Sequence, residues 1–316
     1  MSYFSVVIPA YNVQDYIAET LVSVFAQTFT DFEVVVVNDG STDHTSEVLA
    51  GITDSRLRII NQANGGECRA RNRGMAEAKG RFLAFLDADD IWLPYHLQLA
   101  HGFFESHPDA CWYASIPKGF RGEMPAEMLK LPSPAVPRFQ MKSFYDGVSI
   151  LPSSTCILRS AVKEANLFEP DMKSGGDRMG WLRFCLTTGD GLGILQHATV
   201  YYRTQRPGAA TALGEGYNEK FVKVYLNSMK VGSGLMRDLV PNGKIRAFLR
   251  RENSRHWGWC IRHSILQGWN ESLQVSDKLI GWMTAWPLRF FSYLHFLITC
   301  FFYLPFYLLA KIQKLK

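Results

Sequence analysis

Short apolar runs alternate with stretches at helical spacing along the first part of the chain. Val6-Val7-Ile8 reads as a buried strand stopped by Pro9. From Asp15 to Ala26, Ile17, Leu21, Val24 and Phe25 recur on one face, which predicts an amphipathic helix. Phe32–Val37 and Leu57–Ile60 read as second and third strands, with a helix between them that Ser41 or Asp43 caps and that runs to about Ile52. Asn64-Gly65-Gly66 opens a further helix ending at Gly80. Phe82-Leu83-Ala84-Phe85-Leu86 is continuously apolar, as suits a strand covered on both faces of a parallel sheet. Strand–helix alternation at these lengths predicts βαβ units and an α/β fold.

Beyond this the pattern predicts a helix over Leu97–Phe104, a strand over Ala110–Ser115 and a long loop from Pro117 to Pro137. A strand at Ser153–Leu158, a helix at Asp177–Leu186 and an extended segment at Gly193–Tyr202 follow. From about Tyr217 the chain turns to long helical patterns, then a basic stretch, then an aromatic tail. The expected division is a domain over 1–215 and a helical region over 216–316.

The predicted strand ends carry the chemistry. The apolar run at Phe82 leads straight into Asp87-Ala88-Asp89-Asp90, at the sheet edge where open α/β folds bind ligands. Clustered carboxylates repel unless a cation sits among them, and hard oxygen ligands favour Mg²⁺ or Mn²⁺. Asn12 and Asp39 fall at the same edge. Such an edge can hold a nucleotide: Asp39 can accept an imide N–H, and Arg71 can reach a carbonyl or a phosphate. One carboxylate of the cluster can take ribose hydroxyls while another holds a metal on a diphosphate. Taken singly, Asp39 suits a turn and Arg71 a solvated helix face; their joint placement is what points to a site. His96, His101 and His107 are spaced five and six apart, which does not bring them to one helix face as metal ligands.

Ser5-Val6-Val7-Ile8-Pro9-Ala10-Tyr11-Asn12, Val37-Asn38-Asp39-Gly40-Ser41-Thr42-Asp43, Ala70-Arg71-Asn72-Arg73-Gly74 and Phe85-Leu86-Asp87-Ala88-Asp89-Asp90 together resemble the family 2 glycosyltransferases of GT-A fold. The likeness is dense from residue 4 to about 95 and thinner to about 205. It implies inverting transfer of one sugar from a nucleotide-diphosphate sugar, usually a UDP-sugar, assisted by a divalent metal. Carried over by position, Pro9, Tyr11 and Asp39 would line the base site and Arg71 would contact base or phosphate. Asp87 would face the ribose, Asp89 the metal, and Arg203 of Tyr202-Arg203 the diphosphate. The family's base is usually the Asp of a Glu-Asp pair opening a helix that continues Trp-Leu-Arg. Here Gly176-Asp177-Arg178-Met179-Gly180-Trp181-Leu182-Arg183 matches with Gly176 in place of the Glu, so Asp177 is the candidate base. The Gln-x-x-Arg-Trp signature of processive synthases is absent, which favours single-sugar addition. Two alternatives stand beside this: a nucleotide-sugar-binding protein without activity, with Gly176 marking a decayed site, or a sugar nucleotidyltransferase. The latter lacks its Gly-rich basic N-terminal loop here.

Charge adds one local feature. The chain of 316 residues carries a formal net charge of +5. Arg237–Arg262 holds seven Arg or Lys against Asp238 and Glu252, so this stretch alone equals the net charge. Five of the eight tryptophans (Trp257, Trp259, Trp269, Trp282, Trp286) lie in it or between it and the tail. Leu288–Ala310 contains no acid and one charge, Arg289, but His295 and Pro305 interrupt it and Lys311, Lys314 and Lys316 follow. Basic, Trp-rich segments suit a membrane surface, so the C-terminal region is expected to be a membrane-associated extension, interfacial or re-entrant, rather than a simple span. A lipid-linked carbohydrate acceptor would fit such an attachment. No nucleic-acid module is recognisable, and nucleic-acid binding is not expected. Six scattered cysteines and a start without a basic, apolar leader suggest a reducing compartment. The expected location is cytoplasmic, on the inner face of the cell membrane.

Overall fold

β1 (Phe4–Ala10), β2 (Phe32–Asp39), β3 (Leu57–Gln62) and β4 (Phe82–Phe85) are parallel and lie side by side in the order β3-β2-β1-β4. The structure, a computed structural model, describes residues 2–122, 136–143, 150–163, 166–170, 172, 176–189 and 191–204. The chain divides at Glu215/Gly216 into two units, and every described residue belongs to the first. The expectations for the basic stretch, the tryptophans after it and the tail at Leu288–Ala310 fall outside the described residues. Among the described residues no helix is long and apolar enough to cross a membrane.

The order β3-β2-β1-β4 means that the chain leaves β1 in one direction and returns on its other side at β4. The resulting crevice at the C-terminal ends of β1 and β4 is where the strand order reverses. The apolar runs of β1, β2 and β4 are buried on both faces, Val34–Val37 being fully enclosed, whereas β3 at the edge is only partly buried. α1 (Ile17–Phe25) buries Ile17, Leu21 and Val24, while α2 (Thr45–Ala50) and α3 (Glu67–Glu77) complete the crossovers. Asp43, rather than Ser41, serves α2: its carboxylate accepts from the Thr45 N–H at 3.0 Å.

The sheet continues past β4 with mixed directions. β8 (Thr155–Leu158) runs antiparallel to β4 and to β6 (Trp112–Phe120), and β9 (Gly191–Arg203) runs parallel to β6. β5 (Ile91–Trp92) and β7 (Phe139–Ser143), which periodicity did not predict, both pair antiparallel with β9. α4 (His96–Ser106) packs on this half, and α5 (Gly176–Thr188) buries Trp181, Leu182, Phe184 and Cys185.

Two prolines depart from the sequence expectation. β1 runs through Pro9 to Ala10 instead of stopping at it. Val7 O accepts from the Leu86 N–H, so Pro9, two residues on, turns its backbone to that same side. β4 has already ended there, and no ladder donor is required. Pro117 was expected to open a long loop but lies inside β6, where the register with β9 shifts on either side of Ile116. A bulge is where a strand tolerates a residue without an N–H.

His96 is a packing residue. It stacks on Trp92, and its Nδ1 lies 2.7 Å from Thr199 Oγ1. Burial pulls its pKa from 6.5 down to about 3, so it stays neutral in the folded chain while the unfolded chain binds a proton below pH 6.5. Its contribution to stability is therefore complete above pH 6.5 and is lost as pH falls toward 3, at up to about 1.4 kcal/mol per pH unit. His96→Gln should flatten the acid limb of a Tm-against-pH curve. Parallel curves for the two proteins would remove His96 from that limb.

Candidate active site

The ends of β1, β2 and β4 place Tyr11-Asn12, Asp39-Gly40 and the Asp87–Asp90 loop at one edge of the sheet, as the sequence predicted. The loops lock onto one another. Asn12, in left-handed backbone at φ 49°, accepts from the Thr42 N–H at 2.8 Å, and its own N–H donates to Ser41 Oγ at 3.1 Å. Gly40 takes φ 68° and lets Asn64 approach so closely that a Cβ would lie 2.7 Å from the Asn64 nitrogen. This turn brings the start of α3 down over β2.

Asp39 is buried beneath that loop. Its Oδ1 accepts from Gln62 Nε2 (2.7 Å) and the Gly65 N–H (2.9 Å), and its Oδ2 from the Gly66 N–H (2.8 Å). Three donors leave a carboxylate roughly one further acceptor position, so Asp39 both builds the loop and keeps the capacity to take one more N–H. Tyr11 is half exposed beside it, and Pro9 precedes it at the end of β1.

The acidic loop is held from four directions. Thr20 of α1 donates to Ala88 O at 3.0 Å. Ser153 Oγ accepts from the Asp87 N–H (3.0 Å) and donates to Asp90 Oδ2 (2.5 Å). The Arg203 N–H donates to Asp90 Oδ1 at 2.9 Å, and its Nε to Asp89 O at 3.0 Å. Arg71 Nη2 donates to Asp87 Oδ1 at 2.6 Å. The three acids therefore have separate fates. Asp87 is paired with Arg71. Asp90 is fully enclosed, and burial, then Asp87 and Asp89, raise its pKa well above the usual carboxylate range. The expected repulsion among the acids is thus relieved by a guanidinium on one and a tendency to protonate on another.

Arg71 is almost wholly buried, flanked by Glu67, to which it is also hydrogen-bonded, and by the Phe168 ring at 5.6 Å. Burial alone would lower its pKa, but Glu67, Asp87 and Asp177 outweigh that and raise it. Sequence reasoning allowed a solvated helix face for Arg71; the structure puts it inside, orienting Asp87. Arg203 is likewise enclosed, bonded to Glu19 Oε2 at 2.5 Å and to Gly122 O, and stacked between Tyr16 and Phe120. Every contact just given for its guanidinium is to the protein, and they make it an anchor for the loop that carries Asp89.

Asp177 opens α5, half-buried, and its charge acts on Arg71, Glu67 and Cys68 of α3. The start of α5 is pressed against α3: a Cβ on Gly176 would run into Cys68 Sγ. Burial pushes the Cys68 thiol up to about 12, which makes it a packing group and not a nucleophile. Asn72 ties in the segment before α5, its amide donating to Phe168 O at 2.6 Å and accepting from the Phe168 N–H at 3.0 Å. Ser153, Thr20 and Glu67 went unnoticed in the sequence. Glu67 had a signal, an acid between Gly-Gly and Ala-Arg-Asn four residues before Arg71, but the others had none.

No three His, Cys, Asp or Glu side chains among the described residues are grouped to hold a metal between them. An ion of the Mg²⁺ type commonly takes one or two carboxylates and completes its shell with phosphate oxygens and water, and a single loop carboxylate such as Asp89 is compatible with that mode of binding.

The model of glycosyl transferase family 2 matches residues 5–165. The poly(ribitol-phosphate) beta-N-acetylglucosaminyltransferase TarS of Staphylococcus aureus is 32% identical over 216 residues, 66% of this chain and 36% of TarS. The succinoglycan biosynthesis protein ExoW of Rhizobium meliloti is 41% identical over 125 residues, covering 38% of this chain and 39% of ExoW. Matches to the first curated relatives span between 26% and 36% of their length. Among solved structures, TarS 1-349 in complex with UDP-GlcNAc superposes with TM-score 0.68 at 23% identity, covering 89% of this chain and 80% of that one. The mannosyltransferase PcManGT of Pyrobaculum calidifontis, in complex with GDP-Man and Mn²⁺, gives TM-score 0.56 at 16% identity, over 95% and 86% of the two chains. These likenesses show a shared fold. With the motifs at the sheet edge and the family match over half of its length, this chain belongs to glycosyl transferase family 2.

Proposed function

We propose that the chain transfers one sugar from a UDP-sugar to an acceptor hydroxyl with inversion, assisted by Mg²⁺ or Mn²⁺, in the synthesis of a cell-surface polysaccharide or glycolipid. The observation that carries this is the gathering of acids at one crevice: Asp39 and Asp87 on the donor side, Asp89 two residues on in the same loop, and Asp177 entering from α5. The relative TarS, named as an N-acetylglucosaminyltransferase and solved with UDP-GlcNAc, supports a UDP-sugar donor.

In this reading Asp39 takes the imide N–H of uracil, Tyr11 and Pro9 border the base, and Asp87, aimed by Arg71, accepts ribose hydroxyls. Arg203 serves the diphosphate by fixing the loop beneath it. Asp89 would hold the metal, which when bound supplies positive charge against that developing on the departing diphosphate. Asp177 accepts the proton of the acceptor hydroxyl as its oxygen bonds to the anomeric carbon from behind and the bond to UDP breaks. The basic, Trp-rich segment and the aromatic tail support a site of action on the cytoplasmic membrane surface, with a carbohydrate or lipid-linked carbohydrate acceptor.

The test is a panel of nucleotide sugars screened with Mn²⁺ for protection against thermal unfolding, followed by calorimetry with UDP. Asp89→Ala should weaken UDP binding in Mn²⁺ by about tenfold or more, as for loss of one charge-assisted contact of about 1.5–3 kcal/mol. In EDTA the variant and the wild type should bind alike. Equal affinity in Mn²⁺ would remove Asp89 from the metal.

A further inference from the structure

Glu67 lies at this crevice, linked through Arg71 to Asp87. It belongs to the first turn of α3, directly after the Gly65-Gly66 amides that cap Asp39. The Arg71 Nη2 that it binds also donates to Asp87 Oδ1, and its carboxylate feels the charges of Asp87, Asp177 and Asp89. One oxygen, Oε1, accepts from Arg71, and Oε2 has no hydrogen-bond partner among the described residues. The side chain remains 53% accessible, whereas Arg71 beside it is 3% accessible. Glu67 is therefore anchored at one oxygen and open at the other.

An in-line displacement fixes what must occupy the space it faces. The leaving diphosphate is placed at Asp89 and the attacking hydroxyl at Asp177, so the transferred sugar lies between them. In this reading Glu67, which feels the charge of both acids, stands beside that sugar. Position 176 at the start of α5 cannot bring a second acid there beside Asp177, because Cys68 Sγ already fills the place of a side chain on Gly176.

We propose that Glu67 is a specificity-determining residue, its open carboxylate oxygen accepting a hydrogen bond from a hydroxyl or amide N–H of the transferred sugar. This rests on the function proposed above and deepens it. Burial and the surrounding carboxylates raise the pKa of Glu67 to about 7 against the pull of Arg71, and the accessible half of the side chain tempers that burial. A sugar N–H or O–H donating to it would favour the ionised form.

The experiment compares UDP with UDP-GlcNAc and UDP-glucose, by calorimetry in Mn²⁺, on the full chain and on Glu67→Gln. In the wild type at least one UDP-sugar should bind more tightly than UDP. Glu67→Gln should shrink that preference about tenfold or more, with UDP affinity within about twofold and an unchanged Tm. Glu67→Asp, which keeps the charge on a shorter stem, should recover part of it. Equal loss of UDP and UDP-sugar affinity would show Glu67 acting only through Arg71, and an unchanged preference would show no contact with the sugar; either overturns the inference and leaves the proposed transfer standing. A wild type that binds neither UDP nor UDP-sugar overturns both.

Discussion

Asp177→Asn should lower the turnover number by about 10²–10⁴-fold, the usual contribution of general-base assistance, while UDP and UDP-sugar affinities stay within a few fold. The substitution keeps the size of the side chain and its place at the start of α5, so packing against Cys68 is undisturbed. It removes the ability to accept the acceptor's proton. It also removes one of three carboxylates that keep Arg71 charged, but Glu67 and Asp87 remain bonded to that guanidinium. Donor binding and chemistry should therefore separate. Turnover of a UDP-sugar with a hydroxyl acceptor, set beside calorimetry on the same preparation, reads both. Wild-type turnover would remove Asp177 as the base. Matched losses in turnover and UDP affinity would instead assign it to the support of Arg71.

Gly80→Ala should be strongly destabilising, at about 3 kcal/mol, the upper part of the range for overpacking a rigid core. A Cβ at Gly80 would lie 2.6 Å from both the Phe4 carbonyl carbon and the Ser5 nitrogen, and 2.7 Å from Ser5 Oγ. Two of those atoms are backbone of β1, the strand at the switch point, and cannot rotate aside. The Gly80 N–H also donates to Ser5 Oγ at 2.7 Å, and Gly80 O accepts from Arg159 Nε at 2.6 Å, so the segment cannot back away without losing both bonds. For a domain of this size the change corresponds to a fall in Tm of about 6–12 °C. Gly102→Ala is the control: it lies within α4 with nothing near its Cβ position, and should gain up to about 1 kcal/mol from helix propensity. If Gly80→Ala melts with the wild type, the close approach is not rigid.

Proximity of the acids was legible in the sequence because strand ends are legible. Buried parallel strands are written as continuous apolar runs, and the residue after each run must emerge at the same sheet edge, so Asn12, Asp39 and Asp87 could be grouped without coordinates. Boundaries were less secure. β1 outlasted Pro9 and β6 absorbed Pro117, because a missing N–H matters only where a neighbouring strand asks for it, and that depends on pairing. β5 and β7 escaped notice because two residues, or an exposed edge strand, carry no period to read.

What the order of residues determined by itself is the fold class, the crevice at the ends of β1 and β4, and the acids that line it. What only the tertiary structure decided is the state of each acid: Asp87 held by Arg71, Asp90 enclosed between Ser153 and Arg203, and Glu67 left with an open oxygen. The reason is that apolar periodicity is a local property of the chain, set by burial of neighbouring turns and strands. The charge and exposure of a carboxylate depend on partners many residues away, such as Ser153 and Arg203 on Asp90, which only the closing of the sheet brings within reach.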